Sequence, residues 1–238
     1  MIIIKTTYDG SSTLYVPDLD EHYHSMNGAV QESQHVYIEA GLSYYINHRF
    51  HCKKLNQNEI QILEFGFGTG LNALLTADLA ERQKIKIHYT ALEKFPLSEE
   101  ITNQLNYSDI NKYLFQKIHQ SDWEKTVSIN SYFDLKKINL DFVDFDFSQK
   151  FDIIYYDAFA PDKQPEVWTQ ELFDNLFSSM NQGGILTTYC AKGNIRRMLQ
   201  KAGFAVERIP GASGKREMLR ANVLCKTNSD KENNEKEK

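Results

Sequence analysis

The stretch Gln61-Ile62-Leu63-Glu64-Phe65-Gly66-Phe67-Gly68-Thr69-Gly70-Leu71-Asn72 decides the fold. Residues 60–65 are a short apolar run, which reads as a buried parallel strand. Three glycines follow at alternate positions, and residues 71–79 then place apolar side chains at helical spacing. Strand, glycine turn and helix make a nucleotide-binding crossover. Glycine there permits positive φ and lets backbone come close to a ligand. The start of the helix leaves N–H groups unpaired. The spacing narrows the ligand. Dinucleotide folds carry G-x-G-x-x-G, and P-loops end in Gly-Lys-Ser/Thr. Here Gly66-x-Gly68-x-Gly70 has Glu64 before it and no lysine after it.

That arrangement resembles the first motif of class I S-adenosylmethionine (SAM) methyltransferases. The resemblance implies a cationic sulfonium bearing a carboxylate and a ribose, a ligand that needs no phosphate cradle. Its cofactor-binding residues would be Glu64, Gly66, Phe67, Gly68, Gly70 and Asn72.

The rest of the chain reads outward from this turn. Residues 85–92 form a second strand ending in Glu93-Lys94, where an acid is placed to accept from both ribose hydroxyls. Residues 98–131 read as helices and 138–144 as a third strand. Asp144 ends that strand where acids of this fold meet the adenine amine, with Asp146 as an alternative. A fourth strand, 151–156, runs into Asp157-Ala158-Phe159-Ala160-Pro161, and an amphipathic helix covers 166–180. Gly183-Gly184 precede a fifth strand at 185–190. A helix at 194–202 stops at Gly203. Residues 204–209 and 218–225 form a closing antiparallel pair. The expected fold is α/β: a doubly wound, mostly parallel Rossmann-like sheet with ligands at the carboxyl ends of its strands. The Gly66–Gly70 turn, Glu93, Asp144 and Asp157 should then line one cleft.

Three segments are expected. Residues 1–52 make an N-terminal lobe over the cleft, with a hairpin of 2–7 and 13–16 and a helix over 31–42. Residues 53–225 make the main domain. Residues 226–238 have no apolar side chain and are expected to be disordered. A chain of 238 residues is long enough for one sizeable core. No apolar run approaches the ~20 residues of a membrane span, and the start of the chain is too short for a signal peptide. Cys52, Cys190 and Cys225 share no metal or redox spacing, so they read as reduced thiols in a cytoplasmic protein. Nothing completes a ligand set around His22 and His24, so no metal is expected.

The net charge of −5 disfavours indiscriminate nucleic-acid binding, but its distribution does not. Residues 192–220 carry Lys192, Arg196, Arg197, Lys201, Arg208, Lys215, Arg216 and Arg220 against only Glu207 and Glu217. Such a local basic face can bind a phosphate backbone.

Asp157, Phe159 and Pro161 occupy the place where many N-methyltransferases carry an Asp/Asn-Pro-Pro-aromatic motif, which pairs an acceptor for the substrate amine with a stacking ring. Methyl transfer to an amine is an in-line displacement that needs alignment and a neutral nucleophile. A carboxylate beside the amine can orient it and take its proton. Asp157 is the catalytic candidate.

Residues 157–168, Asp-Ala-Phe-Ala-Pro-Asp-Lys-Gln-Pro-Glu-Val-Trp, resemble the signature of the MnmC-like methyltransferases. So do residues 65–72, Glu93-Lys94-Phe95-Pro96, Glu32-Ser33 with Val36-Tyr37, and Gly214-Lys215-Arg216-Glu217-Met218-Leu219. This family makes the 5-methylaminomethyl group on the wobble uridine of certain tRNAs. The resemblance implies a tRNA substrate, with Phe159 and Pro161 at the flipped base and Lys215, Arg216 and Glu217 shaping its pocket or holding phosphate. Glu32 and Ser33 would close over the methionine end of SAM, and Trp168 would pack the loop. The chain resembles the stand-alone form, which receives an aminomethyl group made by a separate enzyme. Two rival readings remain: a small-molecule amine methyl- or aminopropyltransferase on the same fold, and a non-catalytic RNA-binding module.

Overall fold

The computed structural model describes residues 2–48 and 59–225. The expected boundary at residue 52, Cys52 and the 226–238 tail lie outside the described residues.

Strands β1 (Ile3–Thr6), β2 (Ser12–Val16) and β3 (Glu21–His22) form a small antiparallel sheet. The β1–β2 turn caps the next helix. Ser11 Oγ accepts from the backbone N–H groups of Ala29 (3.1 Å) and Val30 (3.2 Å), and Asp9 Oδ2 accepts from that of Gln31 (3.1 Å). These satisfy donors that a helix start leaves open. Helix α1 (Ala29–Ser33) continues into a π-wound segment, Gln34–Ser43, and then into α2 (Tyr44–His48).

The main sheet follows: β4 (Glu59–Phe65), α3 (Leu71–Gln83), β5 (Lys86–Glu93), α4 (Glu99–Thr102), α5 (Ser108–Gln120), β6 (Thr126–Asn130), β7 (Phe133–Asn139), β8 (Phe151–Tyr156), α6 (Gln170–Ser178), β9 (Met180–Thr188), α7 (Gly193–Ala202), β10 (Ala205–Pro210) and β11 (Glu217–Asn222). Its order is β10-β11-β9-β8-β4-β5-β7-β6. Strands β9, β8, β4, β5 and β7 run parallel, while β11 lies antiparallel between β9 and β10. The order reverses at β4, which pairs β5 on one side and β8 on the other. Ligands bind at such a switch point.

Both faces of this sheet are covered, and β4 shows it residue by residue. Ile60 and Ile62 join a core with α3, α5 and the π-wound segment, while Leu63 and Phe65 join a core with α6 and α7. That is why the strand places apolar residues on both of its faces.

Several expectations are corrected. The third parallel strand is Phe133–Asn139, not 138–144, and residues 142–144 are a short 3-10 turn. Residues 126–130, expected to be helical, form edge strand β6. The helix expected over 166–180 is a 3-10 turn, Pro165–Val167, followed by α6, and Gly183-Gly184 lie inside β9. Cys190 is a buried free thiol, but Cys225 is disulfide-bonded, against the reading of reduced thiols throughout.

Candidate active site

At the carboxyl end of β4 the chain turns on three glycines with φ of 91° (Gly66), 49° (Gly68) and 72° (Gly70), a backbone region that disfavours side chains. The turn is pinned to the neighbouring strand: the N–H groups of Gly66 and Phe67 both donate to Leu92 O, at 3.1 and 2.9 Å. Glu93, which ends β5, closes the arrangement. Its Oε2 accepts from Gly68 N (2.9 Å) and its Oε1 from Phe95 N (2.8 Å). Burial pushes the Glu93 carboxyl up, and these backbone donors pull it back.

Above the switch point lies a cavity of ≈ 410 Å³. The glycine turn, Asn72, Glu93, Lys94, Phe95 and Phe142 form one wall. Asp157, Phe159, Lys163, Tyr189 and Lys215 form another, and residues from 19–26 with Glu32 roof it.

Asp157 begins the loop after β8, with its N–H donating to Phe65 O at 3.0 Å. Both its carboxylate oxygens are held. Tyr37 Oη donates to Oδ1 at 2.6 Å, and Asn72 Nδ2 donates to Oδ2 at 2.8 Å. Burial pushes the Asp157 carboxyl up to about 7, and the Tyr37 bond opposes that rise. A carboxyl poised there can take a proton near neutral pH.

The expected site residues divide. Gly66, Phe67, Gly68, Asn72, Glu93, Lys94, Glu32, Asp157, Phe159 and Lys215 line the cavity. Glu64 does not. It is fully buried behind Asn72, whose Nδ2 also donates to Glu64 Oε1 at 3.0 Å. Burial pushes the Glu64 carboxyl well above the usual carboxylate range. Gly70 caps α3 instead of facing the cavity. Asp144 is exposed outside the lining, because its strand ends at Asn139, and Phe142 faces the cavity in its place. Ser33 is buried, and Pro161 and Arg216 lie off the lining. Glu217 pairs with Arg208 at 3.6 Å on β10.

Sequence reasoning missed Tyr37 and Tyr189 as site residues. Tyr189 directly follows a parallel strand, so its place at a carboxyl end was the available signal. Its hydroxyl donates to Ala158 O at 2.9 Å, and Lys215 Nζ sits 4.1 Å from its ring centre. Lys215 also donates to Glu32 Oε1 at 2.5 Å, and Glu32 Oε2 accepts from Ser25 N at 2.7 Å. Roof and wall are thereby tied together. Tyr23 meets Phe159 edge to face, ring centres 5.1 Å apart.

Trp168 is buried against Tyr156, and its Nε1 donates to Phe159 O at 2.8 Å. It packs the loop, as expected. Trp168→Phe strips the carbonyl of its donor and should lower stability by about 1–3 kcal/mol, read as an earlier urea midpoint. An unchanged midpoint would deny Trp168 that role.

A family model of S-adenosyl-L-methionine-dependent methyltransferases matches residues 96–223, more than half of the chain. The chain belongs to that family. The methyltransferase is 32% identical to the tRNA 5-methylaminomethyl-2-thiouridine biosynthesis bifunctional protein MnmC of Leptospira interrogans, over 98% of this chain and 36% of that protein. It is 29% identical to the MnmC of Methylobacillus flagellatus, over 86% and 33%. It therefore spans about a third of the length of these relatives. The crystal structure of MNMC2 from Aquifex aeolicus shares the fold, with TM-score 0.73 and 23% identity over 98% of this chain and 75% of that one.

The residues fit SAM. The glycine turn is a cradle that side chains would fill: a Cβ on Gly66 would stand 2.6 Å from Asp157 O, and one on Gly68 3.0 Å from the Tyr23 ring. Glu93 could accept from a ribose there, and Phe142 and Phe95 could cover a purine.

Proposed function

We propose that this methyltransferase converts 5-aminomethyluridine, with or without a 2-thio group, to its 5-methylaminomethyl form at the tRNA wobble position. One observation carries the reading: a carboxyl pushed up to about 7 stands in the same cavity as the Phe159 ring. That pairs an acceptor for an amine with a face for a base. The names of the MnmC relatives supply the substrate class.

Bound SAM supplies an electrophilic methyl group. Glu93 and the glycine turn would hold its nucleoside part, and Glu32 its methionine part. Asp157 accepts a hydrogen bond from the substrate amine and directs the nitrogen lone pair. Asp157 would take the proton that the amine nitrogen gives up on methylation. Phe159 stacks on the uracil, as aromatics do for splayed RNA bases. The roof excludes water.

The basic stretch at 192–220 contributes less to tRNA binding than its composition suggests. Lys192 pairs with Asp162, Arg208 with Glu217, Lys215 with Glu32 and Arg220 with Glu207. Arg197, Lys201 and Arg216 make no such pair among the described residues and serve as phosphate contacts. A separate reaction that frees the primary amine precedes this one, and the cytoplasmic setting follows from the substrate. No helix among the described residues is long and apolar enough to cross a membrane.

The test is single-turnover transfer from methyl-labelled SAM to tRNA bearing aminomethyl at the wobble uridine, with carboxymethylaminomethyl tRNA as control. Label is expected on the first alone. No label on either, with SAM still bound, would sink the tRNA reading.

A further inference from the structure

We infer that Tyr37 is a positioning residue for Asp157: its hydroxyl fixes one carboxylate oxygen and turns the free lone pairs toward the substrate amine. The inference rests on the reading of Asp157 as the amine acceptor. The geometry begins with the backbone. Gln34–Ser43 is wound with π-type hydrogen bonds over ten residues, far longer than the single-turn bulges in which this winding usually occurs, often at functional sites. The segment lies directly on the sheet at Gly41, where a Cβ would stand 3.1 Å from the Tyr155 ring and 3.4 Å from Thr187 Oγ1. Tyr37 is thereby clamped between its helix and Tyr155, ring centres 5.2 Å apart, and is 1% exposed.

Its hydroxyl has one hydrogen, and that hydrogen goes to Asp157 Oδ1 at 2.6 Å. Burial keeps the phenol far above its ordinary range, so it stays a donor at any working pH. Asn72 holds the other oxygen from α3. With two fixed donors on two oxygens, the carboxylate plane cannot rotate. The remaining lone pairs open into the cavity, which Asp157 lines. A hydrogen bond to the ionised form also opposes the burial that favours the neutral acid.

The charged and titratable groups around Asp157 come from several elements. They are Glu64 on β4, Tyr89 on β5, Glu32 on α1, Lys215 from the β10–β11 loop, Tyr189 after β9 and Tyr37 itself. Among the described residues, only Tyr37 and Asn72 donate side-chain hydrogen bonds to the carboxylate. Removing Tyr37's hydroxyl leaves the other charges in place, so its effect is separable.

The test titrates the Asp157 carboxyl by carbon-13 NMR in the full chain without tRNA, so it does not depend on the substrate being right. Tyr37→Phe should raise the midpoint by about one pH unit or more. On the tRNA substrate, kcat should fall about 10- to 100-fold, with the rising limb of its pH profile displaced to higher pH and SAM affinity unchanged. Replacing Tyr37 by 3,5-difluorotyrosine keeps the shape and makes a more acidic donor, so the midpoint should move down. Shifts of opposite sign support the inference. A midpoint that stays put in either folded variant overturns it, whatever the tRNA assay shows.

Discussion

Asp157→Asn should slow methyl transfer by about 10²- to 10⁴-fold, the range expected for loss of a positioned acid–base group, with SAM affinity unchanged. The side chain keeps its size, so the loss isolates two properties. The first is proton acceptance, because an amide cannot take the proton released when nitrogen gains a methyl group. The second is polarity of the hydrogen bonds. Tyr37 and Asn72 both donate to Asp157, at 2.6 and 2.8 Å. An asparagine there has one oxygen and one NH₂, so one donor must face another. That mismatch should cost about 1–3 kcal/mol, so a melt accompanies the kinetics to separate misfolding from lost chemistry. The pH profile gives a second readout. With the carboxyl pushed up to about 7, the wild-type rate should rise through neutrality as Asp157 ionises, and the variant should lose that limb. Stability moves the other way. The folded state holds this proton up to about 7 and the unfolded chain only to about 3.8, so within that window the folded state binds more protons. The Asp157 contribution to stability therefore declines as pH rises. Full turnover in a well-folded Asp157→Asn would remove Asp157 from the chemistry.

Much of this site was legible because it lies at strand ends, and strand ends follow from apolar runs. β4, the glycine turn, Glu93 at the end of β5 and Asp157 after β8 all sit where residue spacing placed them. The failures have particular causes. β7 was displaced because Lys137 takes an inward position in a strand that should alternate cleanly. Its stem is buried, and its ammonium donates to Ile118 O and His119 O at 2.9 and 3.2 Å, beside the Trp123 ring. A lysine so accommodated breaks the period on which strand reading depends. Placing the strand too late carried Asp144 into the site and left Phe142 out. The π winding of 34–43 escaped notice because the segment is buried on many sides, so its apolar residues show no 3.6-residue stripe. Tyr37 stood in a stretch that resembles the family, but its contact with Asp157, 120 residues away, is made only by the fold. The Glu32–Lys215 pair joins residues 183 apart in sequence, a juxtaposition that only the fold creates.

Gly66→Ala should disable the enzyme by a different route, and a comparison with Gly68→Ala makes the cause visible. At Gly66 the backbone has φ 91°, and a Cβ would stand 2.6 Å from the carbonyl oxygen of Asp157. That oxygen has little room to step aside, because residue 157 is anchored by its N–H bond to Phe65 O at 3.0 Å directly after the end of β8. Either the glycine turn lifts off Leu92 or the Asp157 loop moves, and both spoil the cavity. At Gly68, with φ 49°, the added atom meets the Tyr23 ring at 3.0 Å, a side chain on the roof that can give by a few tenths of an ångström. Both replacements pay for a strained φ, about 1–3 kcal/mol each, but only the first also drives backbone into backbone. Gly66→Ala should therefore melt earlier than Gly68→Ala, bind SAM more weakly by calorimetry, and show a lower rate even at saturating SAM, because Asp157 itself is displaced. Gly68→Ala should lose affinity with the rate at saturation largely kept. If the two variants were indistinguishable in melting and in saturated rate, the close approach of the glycine turn to Asp157 would not be what couples cofactor binding to the placement of the catalytic carboxylate.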